Sequence, residues 1–175
     1  MSLSYIGQQF TIYIGLFFII TGTIGNIINI LVLSSVRSYR RSPCTFYLLI
    51  ASIYNFAFIT INLPFRILSV GFGNDLTRTS IFLCKFRQLC LSSFCLISLS
   101  CACLASIDPY FVTSQTENLR RLSNIKLAHR ISIIVIIIWF LHGIPFLVFY
   151  NISPITKLCV NTIILTMPSM FRHIF

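Results

Sequence analysis

The chain has 175 residues, of which 57% are hydrophobic and only 9% are charged. Soluble domains carry about 25% charged residues, so this composition excludes an ordinary soluble domain and indicates a membrane protein. The net charge of +10 does not indicate a nucleic-acid-binding protein, because the basic residues are dispersed among apolar runs, where Lys and Arg anchor helices at lipid headgroups. We therefore predict the lipid bilayer as a partner, no nucleic acid and no enzymatic activity.

The first predicted spanning segment is Phe10 to Leu33, within a stretch of 36 residues that holds no charged side chain. A cleaved signal peptide would need a basic start and a shorter apolar core. Asn29 lies one turn after Gly25-Asn26, so these polar groups share a side of the helix. An Asn in hydrocarbon needs a partner, which predicts that this side faces other helices. Interhelical packing with no further role is the simpler interpretation of each Asn.

A short basic loop follows, with Arg37, Arg40 and Arg41. Because basic loops stay on the inner side, this loop predicts an N-terminus outside. The second spanning segment, Thr45 to Leu68, contains Pro64, which we expect to kink the helix near its outer end.

The third segment extends over residues 84–112 and is predicted to be the central helix. Its twenty residues from Gln88 to Ile107 carry no charge, enough for a membrane-spanning helix. Many of them are Ser, Cys or Ala, and small residues let helices approach closely in lipid.

The fourth segment is Ile131 to Tyr150, after a polar, basic loop over residues 113–130. Residues 151–175 are predicted to form an outer loop and a tail. The seven cysteines show no paired CxxC ligand set and the three histidines are scattered, so we predict no metal site and no cofactor.

Several motifs together resemble those of the rhodopsin-like (class A) G-protein-coupled receptors. Gly25-Asn26 matches the first-helix motif of that family. YLLIASIYNF, from Tyr47 to Phe56, looks like the second-helix motif, with Asn55 where the family usually has Asp. Pro64 follows nine residues later, as in the family.

The later segments extend the resemblance. Cys84 looks like the cysteine at the outer end of the family's third helix, and Asp108-Pro109-Tyr110 looks like the Asp-Arg-Tyr motif at its inner end. Trp139 matches the fourth-helix Trp. The resemblance covers the first four of seven helices. It implies an all-α membrane protein, a partial seven-helix bundle with four spanning helices, present as a fragment or a truncated product.

The resemblance also implies roles for individual residues. Cys159 sits where the family's second outer loop supplies a partner for Cys84, so a disulfide is expected on the oxidising side; two free thiols are the alternative. Asn26 and Asn55 are expected in one polar network between helices one, two and seven. Pro64 and Trp139 are expected to serve helix packing.

Pro109 departs from the family, whose Arg at this place holds the resting state and contacts the G protein. Proline offers neither charge nor N–H, so we expect the helix to kink or end nearby. Asp108 would then turn to water, Arg120, Arg121 or a basic residue of the first inner loop. We expect no G-protein activation from this chain as it stands.

The function predicted is therefore that of a receptor-like, multi-pass protein of the plasma membrane that senses an extracellular ligand. A peptide or orphan-type ligand is favoured, because the third segment lacks the acid that amine receptors use. The alternative is a small four-helix membrane protein that assembles as a transporter or scaffold subunit. Asn151 begins the sequon Asn-Ile-Ser and is a candidate glycan acceptor on the outer side. An unmodified sequon is the favoured alternative, because the site abuts the helix end and Pro154 follows it.

Overall fold

The computed structural model describes residues 3–35, 42–72, 80–152 and 159–161. Within these ranges, four helices are long and apolar enough to cross a membrane. The chain is an all-α membrane protein with several spans, and this prediction from composition and hydropathy is confirmed.

The elements follow one another with short connections. The helices are α1 Leu3–Ser35, α2 Pro43–Arg66, α3 Ile81–Thr113, α4 Glu117–Leu122 and α5 Ile125–Phe149, and a π-helical turn, Ile67–Gly71, extends α2. Two strands, β1 Tyr150–Ile152 and β2 Cys159–Asn161, form an antiparallel hairpin after α5. The four spans are α1, α2 with its π-turn, α3 and α5.

The helices begin earlier than hydropathy alone predicts. α1 starts at Leu3 instead of Phe10, since no charge or proline interrupts the chain before the apolar run. α5 starts at Ile125 because the side chain of Asn124 caps it, accepting a hydrogen bond from the Lys126 N–H at 3.0 Å. The predicted loop 113–130 therefore contains α4 and the first turn of α5.

Pro64 lies inside α2, three residues before the helix changes to π geometry. Proline has no N–H, so the carbonyl one turn earlier loses its helical partner. The Ile67 N–H then faces the carbonyls of both Leu63 and Pro64, and the Phe72 N–H closes the π-turn on the Ile67 carbonyl at 3.2 Å. Such wide turns are a recognised way for a helix to absorb a local irregularity.

α3 is the central helix, as its small residues predict. It packs against both α2 and α5. A third of its most apolar stretch is buried, compared with none of that of α1. The buried residues of α3 are Cys84, Cys90, Ser93, Ile97, Ser98, Cys101, Ala105 and Asp108.

The core consists of two small clusters along α3. One lies toward the end of α3 that carries Asp108, where Tyr47, Ala105 and Ala128 meet. The other lies at mid-height and joins Ala51 to Ile97 and Cys101. Small residues fill most of these positions, so the helices associate by close van der Waals contact, as expected in lipid.

Gly143 sets the closest approach of α5 to α3. A Cβ atom at this buried position would lie 2.7 Å from the Ser93 Oγ and would also meet the Leu89 side chain. Any larger residue here would require the Ser93 and Leu89 side chains of α3 to shift.

The hairpin holds Cys159 beside the start of α3. Tyr150 pairs with Asn161 and Ile152 pairs with Cys159. Strands of three residues are too short to give an alternating sequence pattern, and the sequence alone did not predict them. α3 thus has a Cys84 end, where the helix begins, and an Asp108 end, where it finishes.

Candidate functional site

Asp108 is the buried acid at one end of the bundle, with 6% of its surface exposed. Its carboxylate accepts two hydrogen bonds from different parts of the chain. The Cys44 N–H at the start of α2 donates to Oδ2 at 3.1 Å. The Ser123 hydroxyl, between α4 and α5, donates to Oδ1 at 2.8 Å. One side chain therefore ties α3 to the start of α2 and to the connection before α5.

The start of α2 explains why an acid is useful there. Pro43 stands in the first turn, and the side chain of Ser42 at the N-cap does not cap the helix. The first N–H groups of a helix lack partners inside the helix and carry partial positive charge. Asp108 supplies the capping acceptor from another helix.

Of the partners predicted from the sequence, which were water, Arg120, Arg121 or a basic residue of the first inner loop, the structure pairs Asp108 with neither Arg120 nor Arg121. Arg121 lies 3.9 Å from Glu117 instead, and Arg120 is exposed. The reason is burial: a hydroxyl and a backbone N–H reach the buried carboxylate, whereas the arginines of α4 extend into the surroundings. The arginines of the first inner loop lie outside the described residues.

Pro109 does not end the helix, contrary to one of the two outcomes predicted. α3 continues through Pro109 to Thr113. The Thr113 hydroxyl lies 3.0 Å from the Pro109 carbonyl oxygen. Proline removes one hydrogen bond, but Asp108 next to it is held by two external partners, which fixes this turn. Pro109 and Tyr110 are both exposed.

Polar contacts join α3 to its neighbours at mid-height. The Ser98 hydroxyl donates to the Asn55 Oδ1 at 2.8 Å and also lies 3.3 Å from the Ala51 carbonyl oxygen. The Trp139 Nε1–H donates to the Ser100 hydroxyl at 2.8 Å. The packing role expected of Trp139 thus takes the form of a specific hydrogen bond between α5 and α3.

Among the described residues, Asn26 and Asn55 bond to different partners. The Asn26 amide donates to the Gly22 carbonyl of its own helix at 2.7 Å, whereas Asn55 bonds to α3. The network that the resemblance implied includes a seventh helix and stays a prediction. The predicted inward face of α1 is wrong in part, because Gly25 and Asn29 are exposed. An Asn one turn after a carbonyl can satisfy its amide within the helix, so it does not require a partner on another helix.

The Cys84 end carries the covalent link. Cys84 and Cys159 form a disulfide with their Cα atoms 5.7 Å apart, so the predicted pairing is confirmed. It joins the start of α3 to β2. Asn151 lies in β1 with an exposed side chain whose Oδ1 accepts from the Ile152 N–H at 2.9 Å; Ser153 of its sequon lies outside the described residues.

In the described part of the chain, open grooves lie on the outside of the bundle, and two of them are lined by the spanning helices. The larger, about 370 Å³, is apolar and runs along α5 and α3. It is lined by Leu89, Ile136, Ile137, Phe140, Leu141, Ile144 and Leu147. The smaller, about 210 Å³, lies between α1 and the last turn of α2 with the π-turn, and includes Arg66 and Thr11. Specific ligand sites combine apolar walls with a few placed polar groups, which the larger groove lacks.

Three important residues were not found from the sequence. Ser123 and Cys44 are partners of Asp108, and Gly143 sets the approach of α5 to α3. Of these three, only Ser123 could have been singled out from the sequence, because it follows Arg120-Arg121 in a polar stretch. In the described part of the chain, no three His, Cys, Asp or Glu side chains come together to hold a metal ion.

No protein-family model matches the sequence, and a comparison with curated proteins gives no match either.

Proposed function

We propose that this chain forms the first four helices of a receptor similar to the rhodopsin-like G-protein-coupled receptors, in the plasma membrane with its N-terminus outside. One observation supports the proposal: each end of α3 is tied to another part of the chain, and the tie at the Cys84 end is the disulfide that the resemblance implies. Cys84 is bridged to Cys159 after the fourth span, and Asp108, a full span away, binds the start of α2. Between them, Trp139 bonds to α3.

The proposed orientation follows from the disulfide. Structural disulfides persist in oxidising compartments, so the Cys84 end would face outside. Successive spans alternate in direction, which puts the start of α1 outside as well. The basic loop over residues 37–41 then lies inside, in agreement with the positive-inside rule.

The proposed ligand is an extracellular peptide or a ligand of an orphan-type receptor. An amine would need an acidic counter-ion, and Gln88 to Ile107 contains none. A heterotrimeric G protein is the partner class that the resemblance suggests, although Pro109 removes the cation through which the family makes this contact.

Complementation tests the proposal. The chain is co-expressed with a separate fragment that carries helices five to seven of a rhodopsin-like receptor, and co-purification from membranes is measured. We expect a stable complex in which a reagent restricted to the outer side of the membrane labels the N-terminus of this chain. The same fragment co-expressed with an unrelated four-span protein is the control. Equal recovery with the control, or an N-terminus labelled only from inside, would contradict the proposal.

A second candidate function, a four-helix subunit that assembles with further helices, draws on the polar groups left over in the spans. Asn29 and Asn55 are exposed at membrane depth. Such groups are costly in lipid and favour contact with another helix. Cross-linking in native membranes distinguishes the two candidate functions, because a homo-oligomer of defined size favours the four-helix subunit.

A further inference from the structure

The contact between Ser123 and Asp108 lies next to a pair of exposed cations. Arg120 and Arg121 stand three and two residues before Ser123. The Arg121 side chain is 80% exposed even though Glu117 lies 3.9 Å away, and exposed pairs of this kind bind weakly. Both guanidinium groups are therefore open to an acidic partner.

A serine preceded by two arginines fits the substrate groove of a protein kinase lined with acidic side chains. Complementary charge selects such partners and speeds their encounter. Ser123 is half-buried and lies between α4 and α5, outside both helices. A serine in a connection can reach an active site by local opening, whereas one within a helix requires the helix to unfold.

We propose that Ser123 is a phosphorylation site and that Asp108 controls it. In the closed arrangement the Ser123 proton is donated to Asp108, so the hydroxyl cannot be presented to the catalytic base of a kinase. Opening of this bond exposes the hydroxyl. The site is thus accessible only when the Asp108 end of the bundle is loosened.

The reaction takes ATP as the phosphoryl donor. The Ser123 oxygen forms a bond to the γ-phosphorus, and the bond from that phosphorus to the β–γ bridging oxygen breaks. ADP leaves, and the hydroxyl proton passes to the catalytic base of the kinase.

Phosphorylation would keep the contact open. Phosphoserine has no hydroxyl proton to donate and carries about −1.5 to −2 charges at neutral pH, so it is repelled by the Asp108 carboxylate. Asp108 would then lose one of its two partners, and its hold on the Cys44 N–H would weaken. Cys44, a half-buried free thiol at the start of α2, reports this change.

The test uses the purified full chain in lipid nanodiscs, the catalytic subunit of cyclic-AMP-dependent protein kinase and ATP, followed by phosphopeptide mapping. We expect phosphate on Ser123, loss of that phosphopeptide in Ser123→Ala, and a much slower reaction in the double variant Arg120→Gln, Arg121→Gln. Asp108→Ala should react about tenfold faster or more, as expected for loss of a charge-assisted hydrogen bond.

Further arms keep the result decisive if Asp108→Ala aggregates. Asp108→Asn retains an acceptor, and we expect an intermediate rate from it. In the unchanged chain, phosphorylation should raise the rate at which a water-soluble maleimide labels Cys44. Two results would overturn the inference. One is phosphate on Ser42, which also follows two arginines, with none on Ser123. The other is an equal rate of phosphorylation in the unchanged chain and the Asp108 variants.

In cells the inference rests on the proposed orientation, so a sequon engineered into residues 113–130 is tested in parallel. Phosphate on Ser123 in cells, together with an unmodified sequon, supports both the phosphorylation site and the proposed orientation. Phosphorylation in nanodiscs combined with a glycan on that sequon would refute the orientation, and with it modification in the cell. No phosphorylation in nanodiscs refutes the site itself, whatever the orientation.

Discussion

Under the proposed resemblance to rhodopsin-like receptors, Pro109 takes the place of the arginine with which those receptors contact the G protein. We expect a chimera of this chain with helices five to seven of such a receptor to couple poorly, and Pro109→Arg to increase coupling, because the substitution restores a cation beside Asp108. Nucleotide exchange on a purified G protein measures the effect. Val112→Arg, which adds the same charge at an exposed site three residues on, should not increase it. Equally strong coupling by the unchanged and Pro109→Arg chimeras would show that Pro109 is not disabling.

The disulfide between Cys84 and Cys159 can also be tested by substitution. Cys84 and Cys159 are separated by 75 residues, and removal of a structural disulfide typically costs about 2–4 kcal/mol. We expect Cys84→Ser to lower the free energy of unfolding by that amount, measured by denaturation in mixed micelles. Cys103→Ser changes an exposed free thiol and should have little effect. A non-reducing peptide map that finds Cys159 alkylated in the unchanged protein would contradict the bridge.

Residue identity predicted some of the site and missed the rest for a physical reason. Cys84, Asp108 and Trp139 are chemically distinctive and stood out in apolar surroundings. Ser123 is a common residue in a polar stretch, and its contact with Asp108 depends on how the chain turns after α4. Cys44 contributes only its backbone N–H, which no side-chain pattern encodes.

Among the elements, the contact of α5 with α3 depends on Gly143. Gly143→Ala should destabilise the protein by about 1–3 kcal/mol, because the added methyl group meets Ser93 and Leu89 in a packed interface. Gly25→Ala is the matched control: its added Cβ atom has nothing within 4 Å. That substitution should be neutral or stabilise the helix by about 0.5–1 kcal/mol. The midpoint of unfolding in mixed micelles should therefore fall for Gly143→Ala and stay unchanged or rise for Gly25→Ala, and equal shifts would contradict the close approach.

The link between α2 and α3 depends on Asn55. Asn55→Leu removes the acceptor 2.8 Å from the Ser98 hydroxyl and leaves only the weaker Ala51 carbonyl contact. We expect a loss of about 0.6–2 kcal/mol, the range for hydrogen bonds between helices in membranes. Asn29→Leu, at an exposed position on α1, should cause no such loss. If the two variants unfold alike, the Ser98 contact does not contribute to helix association.

At this scale, hydropathy predicted that four spans exist but not where they begin. The first six residues of α5 include Lys126, His129 and Arg130, and they are helical because Asn124 caps them, a local effect that an apolar window overlooks. The π-turn after Pro64 depends on the hydrogen bonding of the Ile67 N–H, which faces the carbonyls of both Leu63 and Pro64. The hairpin depends on a pairing between residues on either side of an intervening segment.

Across the whole molecule, the placement of α3 at the centre followed from its small residues, since only these permit neighbours on several sides. The orientation in the membrane is a separate question, and Asn151 offers a test. In cells, glycosylation of Asn151 is expected only if the Cys84 end faces the lumen during synthesis, and a shift in mobility removed by a glycosidase would detect it. Asn151→Gln is the control. A glycan on a sequon engineered into residues 113–130 would reverse the proposed orientation.

The capping of α2 by Asp108 has a consequence for biogenesis. The acceptor for the Cys44 N–H lies 64 residues further along the chain, so the ribosome must add more than a whole span before it exists. α2 therefore enters the bilayer with its first turn unfinished and is completed only when α3 has crossed in the opposite direction. Translation that stops short of Asp108 would leave a nascent chain with two spans and an uncapped helix start, a form suited to recognition by membrane quality control.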